Sequence, residues 1–145
     1  MPGVPITFAV VPGGPGGAWA GAPTAISDAD GVATAPLLTA GNQSGEFRVR
    51  ATIAGSGFID IPLTVRPGPP ATVEVNAAPA VRAGDEIQTV VALRDAFGNI
   101  ADDFTGEIRL TTTDPRATSP TTVTFSAADR GVRRVPVTWR TAGTQ

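Results

Sequence analysis

The sequence predicts an all-β fold of antiparallel sandwiches, and three observations carry that prediction. Between Ile87 and Thr113, Ile87, Thr89, Val91 and Leu93 fall on one face and Gln88, Val90, Ala92 and Arg94 on the other. That is the period of two of a half-buried strand. The composition is the second observation: 17 glycines and 14 prolines stand among residues dominated by Ala, Val and Thr. This is a strand-and-turn vocabulary poor in helix formers, so no long helix is expected. The third is that the chain echoes itself at an interval of about 100 residues, the size of one sandwich domain.

Composition also excludes functions. The 11 basic residues, all Arg, nearly balance 13 acidic ones and are dispersed along the chain. A nucleic-acid or anionic-membrane footprint would need clustered cations. The exclusive use of Arg over Lys fits the codon bias of a GC-rich genome. With no Cys there is neither a disulfide framework nor a thiolate metal site, and with no His the usual general base and metal imidazole are missing. No apolar run reaches the length of about 18 residues that a membrane helix requires. Met1 to Pro5 lacks the basic and apolar regions of a secretory signal, so an export signal is expected to lie elsewhere.

Taken in order, 3–11 reads as a strand with Ile6, Phe8 and Val10 on one face. Pro12 to Pro23 is Gly- and Pro-rich and reads as a loop anchored by Trp19, whose ring is expected to fold over the core edge. Asp28, Asp30 and Gly31 form a tight turn in which aspartates bond neighbouring amides and Gly accepts positive φ. Calcium would need five or more oxygens from a defined loop, and this one runs directly into apolar strand. Val32 to Leu38 is expected to return as that strand. In 45–55, Phe47, Val49, Ala51 and Ile53 alternate with Glu46, Arg48, Arg50 and Thr52; Ile59, Ile61, Leu63 and Val65 repeat the pattern after Gly55-Ser56-Gly57. The pair reads as a hairpin.

Arg66-Pro67-Gly68-Pro69-Pro70 cannot join a ladder and reads as a semi-rigid linker. It divides the chain into 1–66, a linker at 67–70, and 71–145. Beyond it, Val73 and Val75 point inward from the next strand. The stretch Ile87–Thr113 follows, with Asp95, Gly98 and Asn99 supplying its turn and Ile108 and Leu110 its second apolar face. Val123 and Phe125 mark another strand, and Val135, Val137 and Trp139 the last. Pro136 is expected to face outward there.

The internal echo pairs Ser27-Asp28-Ala29-Asp30-Gly31-Val32, followed by Thr39-Ala40-Gly41, with Ser126-Ala127-Ala128-Asp129-Arg130-Gly131-Val132, followed by Thr141-Ala142-Gly143. The strand at 3–11 matches the one at 106–113. Counted as seven strands, 1–66 holds the third to the seventh and lacks the first two, whereas 71–145 holds the first to the fifth and lacks the last two. Such openings would expose Ile6, Phe8, Val135, Val137 and Trp139, each worth roughly 1.5–3 kcal/mol when buried. Two remedies follow: permuted packing of 45–65 on the second half, or strands donated by another copy or partner chain.

Several of these segments resemble bacterial immunoglobulin-like repeats of the invasin and intimin type: Gly3-Val4-Pro5-Ile6-Thr7-Phe8, Trp19-Ala20-Gly21, Asp28-Ala29-Asp30-Gly31-Val32-Ala33-Thr34 and Gly45-Glu46-Phe47-Arg48-Val49-Arg50-Ala51. The second half, through Arg94-Asp95-Ala96-Phe97-Gly98-Asn99 and Phe125 to Val132, is similar to Ig-like or filamin-like repeats of large bacterial surface proteins. The resemblance implies tandem Ig-like sandwiches, export to the cell surface or medium, and a place in an adhesin stalk beside neighbouring repeats. Its motif residues are turn and core residues, so it implies no catalytic residue, metal or cofactor.

Three function classes therefore compete. A structural spacer accounts for the repeat, the Pro junction and the lack of a ligand constellation. A carbohydrate- or protein-binding module would use loops at the sandwich ends, where Trp19, Asp102 and Asp103 are the candidate residues. An enzyme would need carboxylates such as Asp102 and Glu107 placed across a cleft, which nothing in the sequence supplies.

Overall fold

A computed structural model describes residues 1–142 of the protein; Gly143, the last residue of the sequence echo, lies outside the described residues. The fold is all-β and antiparallel, and the only helical segment among the described residues is a single 3₁₀ turn at Ala127–Asp129. The chain divides into two compact units, Met1–Arg66 and the residues from Pro67 onward.

The first unit is built on β1 (Pro5–Val11) and β5 (Gly45–Ile53), which pair over six residues. With β3 (Thr24–Ile26) and β6 (Gly57–Val65) they make a sheet ordered β3-β1-β5-β6. Period-two alternation puts Ile6, Phe8 and Val10 on the same face as Phe47, Val49 and Ala51, because directly opposed residues of antiparallel strands share a face. A small ribbon of β2 (Gly17–Trp19) and β4 (Leu38–Ala40) packs Trp19 and Leu38 against that face, and Phe8, Phe47 and Val49 become the buried core. The β5–β6 turn, Ala54-Gly55-Ser56, closes through Ser56 N–H to the Ile53 carbonyl with Gly55 at φ 76°, a value that favours glycine.

In the second unit β8 (Glu86–Arg94) is central, flanked by β7 (Thr72–Asn76) and β11 (Val132–Thr138). A two-stranded sheet of β9 (Gly106–Arg109) and β10 (Thr122–Phe125) faces it. Val91, Leu93, Val135 and Val137 from one sheet and Val123 and Phe125 from the other are buried together with Ala101. Phe104 meets Phe125 edge-on at 6.0 Å between ring centroids. Pro136 lies exposed on β11, an edge strand, where its missing donor costs no ladder bond. Arg133, also on β11, donates to the Thr124 carbonyl of β10 and so bridges the two sheets.

Several expectations change. Pro12–Pro23 is not all loop, since it contains β2; Trp19 does fold over the core edge as expected, half-buried with its ring 6.0 Å from that of Phe8. Val32–Leu38 is not a strand; only Leu38–Ala40 pairs, while Val32 and Leu37 are exposed. The counterpart strand in the other unit, β11, runs seven residues because β8 lies beside it, and β4 has only the three residues of β2. Phe8, Val135 and Val137 are buried rather than exposed, because the small ribbons cover the middle of each large sheet. Exposure falls instead on the edge strands, at Ile59 (64%), Ile61 and Leu63 of β6 and at Val73 and Val75 (51% each) of β7. Permuted packing of 45–65 is replaced by the β1–β5 ladder, which holds the hairpin in the first unit.

Leu93→Ala is expected to cost about 2–5 kcal/mol by leaving a cavity at a site that is 1% exposed. Val73→Ala on the open edge should cost less than about 1 kcal/mol. Urea denaturation of the two variants measures the contrast.

Candidate functional site

The sequence-predicted residues sit in two places. Trp19 belongs to the first unit and is tilted 42° against Phe8, so its ring is a lid on the core. Asp102 and Asp103 belong to the second unit and are exposed in the turn that precedes Phe104. The Asp28 turn forms as the sequence indicates: one carboxylate oxygen of Asp28 accepts the Asp30 and Val32 N–H groups at 3.0 and 2.9 Å, and Gly31 sits at φ 82°. That oxygen is committed to the backbone. Among the described residues no group of three or more acidic side chains is placed to hold a metal ion.

Two buried carboxylates organise the loops of the second unit. Asp95 terminates β8, is 3% exposed, and accepts hydrogen bonds from the Phe97, Asn99 and Gly68 N–H groups and from Asn99 Nδ2, each at 2.9 Å. The Asn99 side chain foremost, aided by those backbone donors and opposed by burial, lowers its pKa to about 2. The bond from Gly68 fastens the Pro-rich junction to this unit, as does Ala71 N–H to the Arg94 carbonyl at 2.7 Å. Asp114 is 1% exposed and accepts from the N–H groups of Arg116, Arg140 and Thr141 and from Thr141 Oγ1 at 2.7–3.0 Å. Burial pushes its carboxyl up, but these donors outweigh it and hold the group well below the usual carboxylate range. Sequence reading singled out Asp95 as a turn residue and passed over Asp114. The signal available for Asp114 was its place before Pro115, since Asp-Pro favours turn initiation.

The remaining ionic contacts are cross-strand or local. On the outer face of β5–β6, Arg50 grips Asp60 with two parallel bonds of 2.7 and 2.9 Å and lies 3.8 Å over the Phe58 ring, and its hydrogen bond lowers the Asp60 pKa. Arg94 pairs with Glu74 across β8 and β7, and Asp129 accepts both the N–H and hydroxyl of Ser126. These groups hold strands and turns; none faces another ionisable group across a cavity.

Concavities among the described residues include a wide opening of about 390 Å³ in the first unit, lined by Gly13, Pro15, Gln43, Ser44 and Glu46. An open cleft of about 300 Å³ in the first unit is lined by Val11, Gly13, Gly14, Phe47 and Pro62 with Glu46 and Arg48 at its rim. A smaller apolar cleft of about 90 Å³ in the second unit lies among Val75, Leu110, Val137 and Trp139, and Thr89 contributes to its wall a buried hydroxyl with no hydrogen-bond partner. Neither of these last two clefts presents a nucleophile beside a base.

The lowered pKa of Asp95 has a pH consequence. In the unfolded chain its carboxyl titrates near 3.8, and in the folded protein near 2. Its contribution is therefore complete above about pH 4 and is lost as pH falls toward 2. Melting temperatures across pH 2–6 should drop within this window, and Asp95→Asn should be less stable at neutral pH with a flatter acid limb. Compared with protein-family models, curated proteins and solved structures, the chain has no match in any of the three.

Proposed function

We propose that the chain is a non-enzymatic spacer made of parts of two successive immunoglobulin-like repeats, belonging to the stalk of an adhesin-type bacterial surface or secreted protein. One observation carries this reading. In the first unit β1 pairs with β3 while the intervening β2 pairs with β4; in the second, β9 pairs with β10 while the intervening Thr118 bridges Thr138 at the end of β11. Two halves of one chain share an interlocked pairing at the interval of the sequence echo. Such a motif, strung in series, makes a repeat protein whose role is to hold distance.

The chemistry agrees with that role. The carboxylates with lowered pKa values bond backbone amides, hydroxyls, Asn side chains or Arg partners within their own turns and sheets, so their charges serve rigidity. The Pro-rich junction is anchored to the second unit through Gly68, and its prolines make a semi-rigid linker of the kind a spacer needs.

The open cleft rimmed by Glu46 and Arg48 favours a second reading, a glycan- or protein-binding module. Small-angle scattering on chains with increasing numbers of these units in series tests the spacer: the maximum dimension should grow linearly with unit number, and a compact profile would overturn it. A glycan array separates the alternative. A flat response supports the spacer, whereas binding abolished by Arg48→Ala assigns the cleft a ligand.

A further inference from the structure

We infer that the second unit binds a β-hairpin other than the chain's own β5–β6, along the free edge of β9 and over the uncovered face of β7. The hairpin is of the β5–β6 kind, with apolar residues at alternate positions of both strands.

The internal comparison identifies the occupant. Strand β1 has β3 on one edge and β5 on the other, with β6 beyond it. Strand β9, which holds the same place in the interlock, has β10 on one edge, and no strand among the described residues pairs with the other. Leu110 N–H donates to the Thr121 carbonyl on the β10 side. Successive amides of a strand alternate in direction, so those of Glu107, Arg109 and Thr111 point to the free edge. An edge with outward donors is the template for strand addition.

Beside this edge the facing sheet is unfinished. Val73 and Val75 of β7 pair with Leu93 and Val91 of β8 and so share the core face, yet each is 51% exposed. The two strands of the β9–β10 sheet bury β8 and β11 and leave β7 open. Under it lies the cleft lined by Val75, Leu110, Val137 and Trp139 together with Thr111, Thr112 and Ser119. An incoming strand meets both needs: its backbone pairs with β9, and its apolar residues cover Val73 and Val75. The chain's own β5–β6 hairpin is committed elsewhere, bonded to β1 over six residues with Phe47 and Val49 buried.

The test uses the full chain carrying Trp19→Phe, which leaves Trp139 as its one tryptophan, and a synthetic peptide of residues 45–65 as the partner hairpin. Addition of peptide should slow amide exchange at Glu107, Arg109 and Thr111 by about tenfold or more and shift Trp139 emission to the blue. The same peptide with Val49→Pro, which removes a ladder donor, should bind far more weakly. Because an isolated hairpin is marginally stable, a second arm appends residues 45–65 by a Gly-Ser linker after Gln145 and reads the same amides. Unchanged exchange in both arms overturns the inference. So does protection confined to β6, or a concentration-dependent dimer of the unmodified chain that protects β9 without peptide, which would make a second copy the occupant. The inference rests on strand pairing and not on the spacer role, so neither scattering nor glycan binding decides it.

Discussion

The structure depends on one constraint: each sheet has a single apolar face, and that face must find another layer. In the second unit β8 is the strand through which this constraint acts. It is hydrogen-bonded on both edges, and Thr89, Val91 and Leu93 lie at its centre under the β9–β10 pair. In the first unit β1 and β5 share that position, and Phe8, Phe47 and Val49 are covered by Trp19 and Leu38 of a three-residue ribbon. Burial is complete only where a second layer exists. The edge strands β6 and β7 lie beyond those layers and leave their apolar residues in solvent.

Thin cores of small side chains need support from loops, and carboxylates supply it here. Asp95 ties the turn after β8 to the Pro-rich junction, and Asp114 ties the loop at 114–116 to the segment after β11. Each carboxylate accepts four hydrogen bonds in a site almost closed to water, so the charge is solvated by backbone and hydroxyl dipoles in place of water. In a chain without cysteine these bonds serve as its non-covalent clasps. The lowered pKa values of both carboxylates come from these structural bonds.

The two units place a glycine at positive φ at corresponding places, though the turns before it differ: Asp28 accepts amides that follow it, whereas Asp129 ends a 3₁₀ turn and accepts from Ser126 before it. Gly31 follows Asp30 at φ 82°, and Gly131 follows Arg130 at φ 72°, where a Cβ would meet the Ala101 carbonyl at 2.5 Å. After each turn the chain enters the strand whose length differs most between the units, three residues in β4 and seven in β11. The sequences after the turns are both compatible with a strand. What differs is the neighbour, since β11 has β8 to bond and β4 has only β2.

Which residues share a face, and where the chain turns, was legible in the sequence alone. Alternation placed Thr89, Val91 and Leu93 together, as it did Phe47 with Val49 and Val123 with Phe125, and Asp28-Asp30-Gly31 and Gly55-Ser56-Gly57 turn where their chemistry requires. These features are local, governed by pleat period and by the φ preferences of a few residues. Tertiary structure alone decided which faces are covered, that Phe8 is the ring Trp19 lies on, that Val32–Leu37 stays irregular, and that Thr89 and Asp114 are buried. The reason is that burial and strand pairing are set by partners distant along the chain, and a residue's own neighbours in sequence carry no record of which strand arrives beside it.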